Sequence, residues 1–282
     1  MKPLNSLLTG LSLFTLSAGF VSAQAVPDFS ADLASRKATM EPQFPNPIMK
    51  IQSLAYYQPA TKETAYWVKQ LDAYRVSLDG DDYVYDTDVA APFMLGVLLA
   101  DGFFAIQAKD TERLSSISDA IEILALKLGA TEQDIAKTKI MNNYAIKGEW
   151  VRVTMELNYL RYYVMNRLKT ADNTSLVYMG AWMQGANYMM NVVKSIQSDG
   201  NAAGISGILR EPDLVSFLIR DVKQEPAKAG HPVISEGLSL LEEIYTAVNV
   251  PLKTPVPAES VAKYAEALTE YVNKAVTTLE KK

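Results

Sequence analysis

Apolar residues recur along nearly the whole chain at three- and four-residue intervals, and scarcely any five-residue run alternates apolar with polar. That period belongs to amphipathic helices, so the predicted fold class is all-α. The spacing places helices near 60–78, 88–108, 111–128, 131–146, 148–168, 174–197, 212–223, 231–248 and 258–280, with a further short one around 28–40. Punctuation agrees with the period. Leu128-Gly129 reads as a helix stop, Thr131-Glu132-Gln133-Asp134 as a cap with acids in the first turn, and Asp172 or Asn173 as another cap. Short links make consecutive helices double back on one another. The expected architecture is therefore an antiparallel helical bundle or a stack of helical hairpins, with roughly nine helices.

Two of these helices, Val89 to Ala108 and Leu176 to Val193, are apolar on nearly every side and are expected at the centre of the domain, packed together. Small residues permit close approach: Gly96 and Ala100 in the first, Gly180, Ala181, Gly185 and Ala186 in the second. Aligning Met94-Leu95-Gly96-Val97 with Tyr178-Met179-Gly180-Ala181 suggests an internally duplicated hairpin.

The ends of the chain follow other rules. Lys2, an apolar stretch from Leu7 to Val21, and small residues at Ala23 and Ala25 have the layout of a cleavable secretory signal over residues 1–25. Residues 26–47 form an N-terminal arm that ends in Pro42-Gln43-Phe44-Pro45-Asn46-Pro47, where three prolines impose an extended connector. Residues 48–282 are then one all-helical domain, and no stretch after the signal is expected to span a bilayer. The expected location is periplasmic or secreted.

There is no cysteine, which excludes disulfides, thiolate metal sites and a lipid on an N-terminal cysteine. The formal net charge is −5, and loss of Lys2, the one charged residue of the signal, makes it −6. With no basic block, nucleic acid is not an expected partner.

Candidate chemistry is sparse. The single histidine, His231, sits between Gly230 and Pro232 with no nucleophile or carboxylate at a motif spacing, and reads as a residue at the start of a helix. The glycine-rich run from Asp199 to Gly207 lacks the preceding strand and the Gly-Lys-Ser/Thr of a phosphate loop, and reads as a connector. Asp79, Asp81 and Asp82, followed by Asp86 and Asp88, offer oxygen ligands of the kind calcium favours. Their spacing does not fit a calcium loop, so a solvated turn with Asp86 or Asp88 capping the next helix is the expectation, and no metal or cofactor is assigned. Met179, Met183, Met189 and Met190 read as core filler. Glu149, Arg152 and Glu156 read as an ion-pair ladder.

One pattern stands out. Gln184, Asn187 and Asn191 share one face of an otherwise apolar helix, and Asp101 lies inside Leu98-Leu99-Ala100-Asp101-Gly102-Phe103-Phe104. A buried carboxylate costs several kcal/mol unless it is partnered. One reading makes Asp101, Gln184, Asn187 and Asn191 the polar floor of a ligand pocket walled by Tyr159, Tyr162, Tyr163 and Trp182. The simpler one leaves the amides on the exposed edge of their helix and has Asp101 bend or break its own.

The segment Leu176-Val177-Tyr178-Met179-Gly180-Ala181-Trp182-Met183-Gln184-Gly185 resembles a Gly-x-Trp-apolar-x-Gly helix of uncharacterised exported helical proteins of bacteria, over the stretch from Asp88 to Val193. The resemblance implies an envelope location and a helical fold, and no catalytic residues. The resulting expectation is a non-catalytic binding or structural protein of the cell envelope, whose partner is an envelope protein or a small molecule. Small-ligand binding in a polar pocket between the central helices, or divalent-cation binding by the Asp79–Asp88 loop, is the first alternative, and carboxylate-only catalysis by Asp101 with Glu156 is the enzymatic one.

Overall fold

The computed structural model describes residues 74–76, 85–86, 88–168, 173–198, 205–251 and 254–279. The expected signal, arm, proline connector, first helices and the Asp79–Asp82 turn lie outside the described residues, as does most of the glycine-rich run. Among the described residues the fold is all-α, with no strand.

Nine α-helices are described. They are α1 (Ala90–Ala108), α2 (Thr111–Lys127), α3 (Glu132–Ile146), α4 (Trp150–Leu168), α5 (Thr174–Ser198), α6 (Pro212–Lys223), the single turn α7 (Pro226–Ala229), α8 (Pro232–Val248) and α9 (Ala258–Leu279). Their boundaries lie within about two residues of those the period predicts, a difference of the size that helix-end definitions themselves leave. Two short elements carry too few residues to show a period: α7, and a 3₁₀ turn at Ser206–Leu209.

Local chemistry sets the ends. The chain leaves α1 through Lys109 in the left-handed region (φ 55°), and Asp110 then caps α2 by accepting the Arg113 amide at 2.9 Å. Gly129 (φ 91°) and Gly148 (φ 73°) make the turns that follow α2 and α3, a backbone region costly for residues with a Cβ. Proline opens α6, α7 and α8, where its missing N–H has no intrahelical partner to lose.

α1 and α5 form the centre. α1 packs on α2, α4 and α5, while α5 packs on α1, α6 and α9; α3 lies between α2 and α4, and α8 between α6 and α9. Every residue of α1 from Ala90 to Ile106 is buried. By length and composition α1 could span a membrane, which corrects the expectation that no such stretch exists; here other helices enclose it.

The two central helices meet reciprocally. A Cβ on Gly96 would lie 2.0 Å from the Val177 carbonyl oxygen, three residues before Gly180, and one on Gly180 would lie 2.1 Å from the Phe93 carbonyl oxygen, three residues before Gly96. The paired segments that align in sequence thus occupy equivalent places across the contact, and only glycine fits at either. Gly185 makes no such approach.

Candidate functional site

Asp101 stands at the middle of α1, buried and without breaking its helix: α1 runs on through Gly102 to Ala108. Its Oδ1 accepts hydrogen bonds from Gln184 Nε2 (2.6 Å) and the Tyr188 hydroxyl (2.7 Å), both on α5. Its Oδ2 accepts from an Arg113 guanidinium nitrogen of α2 (2.9 Å) and, at 3.4 Å, from the Val76 amide. The carboxylate therefore has the charged and neutral donors that make burial tolerable.

The network continues outward. Gln184 Nε2 also donates to the Tyr74 carbonyl (3.1 Å), while its Oε1 accepts from Asn187 Nδ2 (3.3 Å). Asn187 Oδ1 in turn accepts from Asn191 Nδ2 (3.0 Å) and from the Thr269 hydroxyl of α9 (2.7 Å). Gln184, Asn187 and Asn191 are all buried, which corrects the reading of the amide stripe as an exposed edge. A helix face carrying polar groups at this spacing looks the same in sequence whether it meets water or other polar groups.

Electrostatics follow from the enclosure. Burial, then the charge of Asp101, pushes the Tyr188 hydroxyl well above its ordinary pKa, so it stays protonated and remains a donor. Its ring stacks on Phe104 of α1, centroids 3.8 Å apart, which fixes the hydroxyl's aim. A second Arg113 donation goes to the Val76 carbonyl. Within this set Arg113 Nε alone is buried without a partner.

Four of the expected residues, Asp101, Gln184, Asn187 and Asn191, thus converge, and they do so by bonding to one another and to main chain. Tyr159 does not join them: it is 49% exposed on the outward side of α4, as is Tyr162 at 63%. Trp182 is buried and donates from its indole nitrogen to Glu211 at 3.3 Å. The side chain of Tyr163 lies outside the described residues. Glu149 and Arg152 form the expected pair at 2.7 Å, with Arg152 also over the Tyr144 ring. The four methionines of α5 are buried in the core. His231 is the residue from which α8 starts, as expected.

Asp79, Asp81 and Asp82 lie outside the described residues. Asp86 caps α1, its Oδ1 accepting from the amides of Asp88 (3.1 Å), Val89 (2.8 Å) and Ala90 (3.2 Å). Tyr188, Arg113 and Thr269 were not among the residues singled out in the sequence. Tyr188 had the clearest signal, standing four residues after Gln184 on the same face.

Comparison with known proteins finds no matching family, no matching curated protein and no matching solved structure.

Proposed function

We propose that this protein is a non-catalytic interaction protein of the cell envelope, which docks an apolar helix of a partner protein on the outer face of α4. The observation that carries the reading is the run Val151, Met155, Tyr159 and Tyr162, which is 77%, 52%, 49% and 63% exposed. Steps of four, four and three residues put these side chains on one face of a helix, and Ile146 (74% exposed) extends the patch at the turn before it. Contiguous apolar surface of this kind marks interaction sites. The straight seam suits another helix, bound as amphipathic helices are bound in apolar grooves. Glu149 and Arg152 already cancel each other beside it, so the partner face requires no net charge.

Two further observations support the reading. The acid, amide and phenol at the centre of the molecule are occupied by one another, which leaves Asp101 poorly placed for acid–base work with Glu156. The envelope location rests on the secretory layout of the first 25 residues.

A photoreactive residue at 155 in the native host, with an equivalent probe at exposed Glu236 as control, tests the docking face. The protein captured at 155 is then purified and its affinity measured. The reading predicts that Met155→Glu weakens that affinity at least tenfold with an unchanged melting temperature. Equal capture at both probes, or binding indifferent to Met155→Glu, would overturn it. Sequencing of the envelope-extracted protein should find Gln24 or Val26 as its first residue.

A further inference from the structure

On a different side of α4 from the exposed stripe, α1, α4 and α5 enclose a crevice of about 380 Å³ including its open mouth. Its walls are almost wholly apolar: Leu99 and Phe103 from α1, Met165 from α4, Val177 and Ala181 from α5. The one charged group that lines it is Arg161, with Tyr178 beside it. Arg161 is half-buried and makes no hydrogen bond or ion pair with any described residue. Two other described arginines taken largely from water on this side each hold an anion: Arg113 has Asp101 and Arg75 has Asp110. Burial pulls the Arg161 guanidinium below its ordinary pKa, with Tyr178 acting in the opposite direction. A desolvated cation facing an apolar cavity is an unfavourable arrangement until an anion joins it.

We propose that this crevice binds a single-chain fatty carboxylate, with the carboxylate on Arg161 and the alkyl chain against Leu99, Phe103, Met165 and Val177. The head group follows from the donor set. A guanidinium presents a planar fork that matches the two oxygens of a carboxylate, whereas a phosphate would leave its remaining oxygens against hydrocarbon. The tail follows from the apolar walls, and the titration series below sets its length. The site is independent of the docking face on α4, and each can fail without the other.

Isothermal titration of the full mature protein with hexanoate, octanoate and decanoate below their micellar concentrations tests the assignment, with octanol and octyltrimethylammonium as controls. Affinity should rise by about fourfold per added methylene, the factor that burial of one CH₂ carries, until the crevice is full. Octanoate should bind at least tenfold more tightly than octanol, and octyltrimethylammonium should not bind. Arg161→Gln should remove the preference for octanoate over octanol. Ala181→Leu, which fills the crevice and keeps the arginine, should block both, with melting temperature checked for each variant. Octanoate binding that is absent, no tighter than octanol, or unchanged in Arg161→Gln overturns the proposal. So does binding to anionic phosphatidylglycerol vesicles without binding to free octanoate. Met155→Glu should leave octanoate affinity unchanged, which separates this test from that of the docking face.

Discussion

The helices gathered around α1 and those gathered around α5 finish their surfaces differently. On the α5 side, ion pairs link neighbouring helices: Lys194 to Glu266, Lys223 to Glu242, Lys263 to Glu243 and Lys274 to Glu236. On the α1 side, α2 to α4 carry every exposed large hydrophobic residue found among the described residues, from Ile123 to Tyr162. Both halves bury cores of similar make-up, so the difference lies in what the outside is for. Ion pairs dominate the first surface, whereas the second, which has the pair Lys139–Glu122 between α3 and α2, carries the exposed apolar side chains.

The comparison breaks most sharply at the crossing that joins the halves. Gly180→Leu would set a side chain against the Phe93 carbonyl and force α1 and α5 apart, at an expected cost of about 3 kcal/mol or more. Urea unfolding followed by both circular dichroism and tryptophan fluorescence should show one transition that shifts as a whole. Two separate transitions would mean that the halves fold as independent domains.

Next in size is the buried carboxylate. Asp101→Ala removes the shared acceptor of Arg113, Gln184 and Tyr188, and should destabilise the protein by about 3–5 kcal/mol. Tyr188→Phe deletes one donor and should cost about 1–3 kcal/mol. If Asp101→Ala is tolerated within experimental error, the network does not join α1, α2 and α5.

Acid should also weaken the cap at the start of α2. Burial works against ionisation of Asp110, but the hydrogen bond from Arg75, the Arg113 amide and both arginine charges outweigh it, so its pKa lies below the ordinary 3.8. The charged form is then the stabilising one. Its contribution is complete above that value and is lost as pH falls through the lower folded pKa. Because Asp110 is partly exposed, about 1 kcal/mol or less is expected, visible as a steeper fall of melting temperature below pH 4 that Asp110→Asn removes. The smallest effects belong to the two surfaces themselves. Lys274→Ala should cost about 0.2–1 kcal/mol, and Met155→Ser should change stability by no more than about 0.5 kcal/mol.

Much of the fold was legible because helical period, stop glycines and N-terminal prolines all report local structure. The α1–α5 contact was legible too, since two helices apolar on all sides have nowhere else to go. The burial of Gln184, Asn187 and Asn191 was not, because spacing alone says which residues share a face and nothing about what the face meets. Their partner Thr269 is some 80 residues further on, within an ordinary amphipathic helix. Arg113 was closer to reach: a tight turn at Lys109-Asp110 sets Asp101 about 12 Å along α1 from the turn and Arg113 about 5 Å along α2, a gap a long side chain can close. The direction of Tyr159 went unread because α4 carries aromatic residues on several sides.

The carboxylate of Asp101 has one more consequence, which concerns the chain before it folds. By length and composition alone, an unfolded segment like α1 is one that lipid could accept. An aspartate near the middle of such a segment raises the cost of that transfer by about 2.5–3.5 kcal/mol. The group that collects Arg113, Gln184 and Tyr188 therefore also makes α1 a poor occupant of a bilayer. Replacement by leucine would remove that cost along with the acceptor of all three donors.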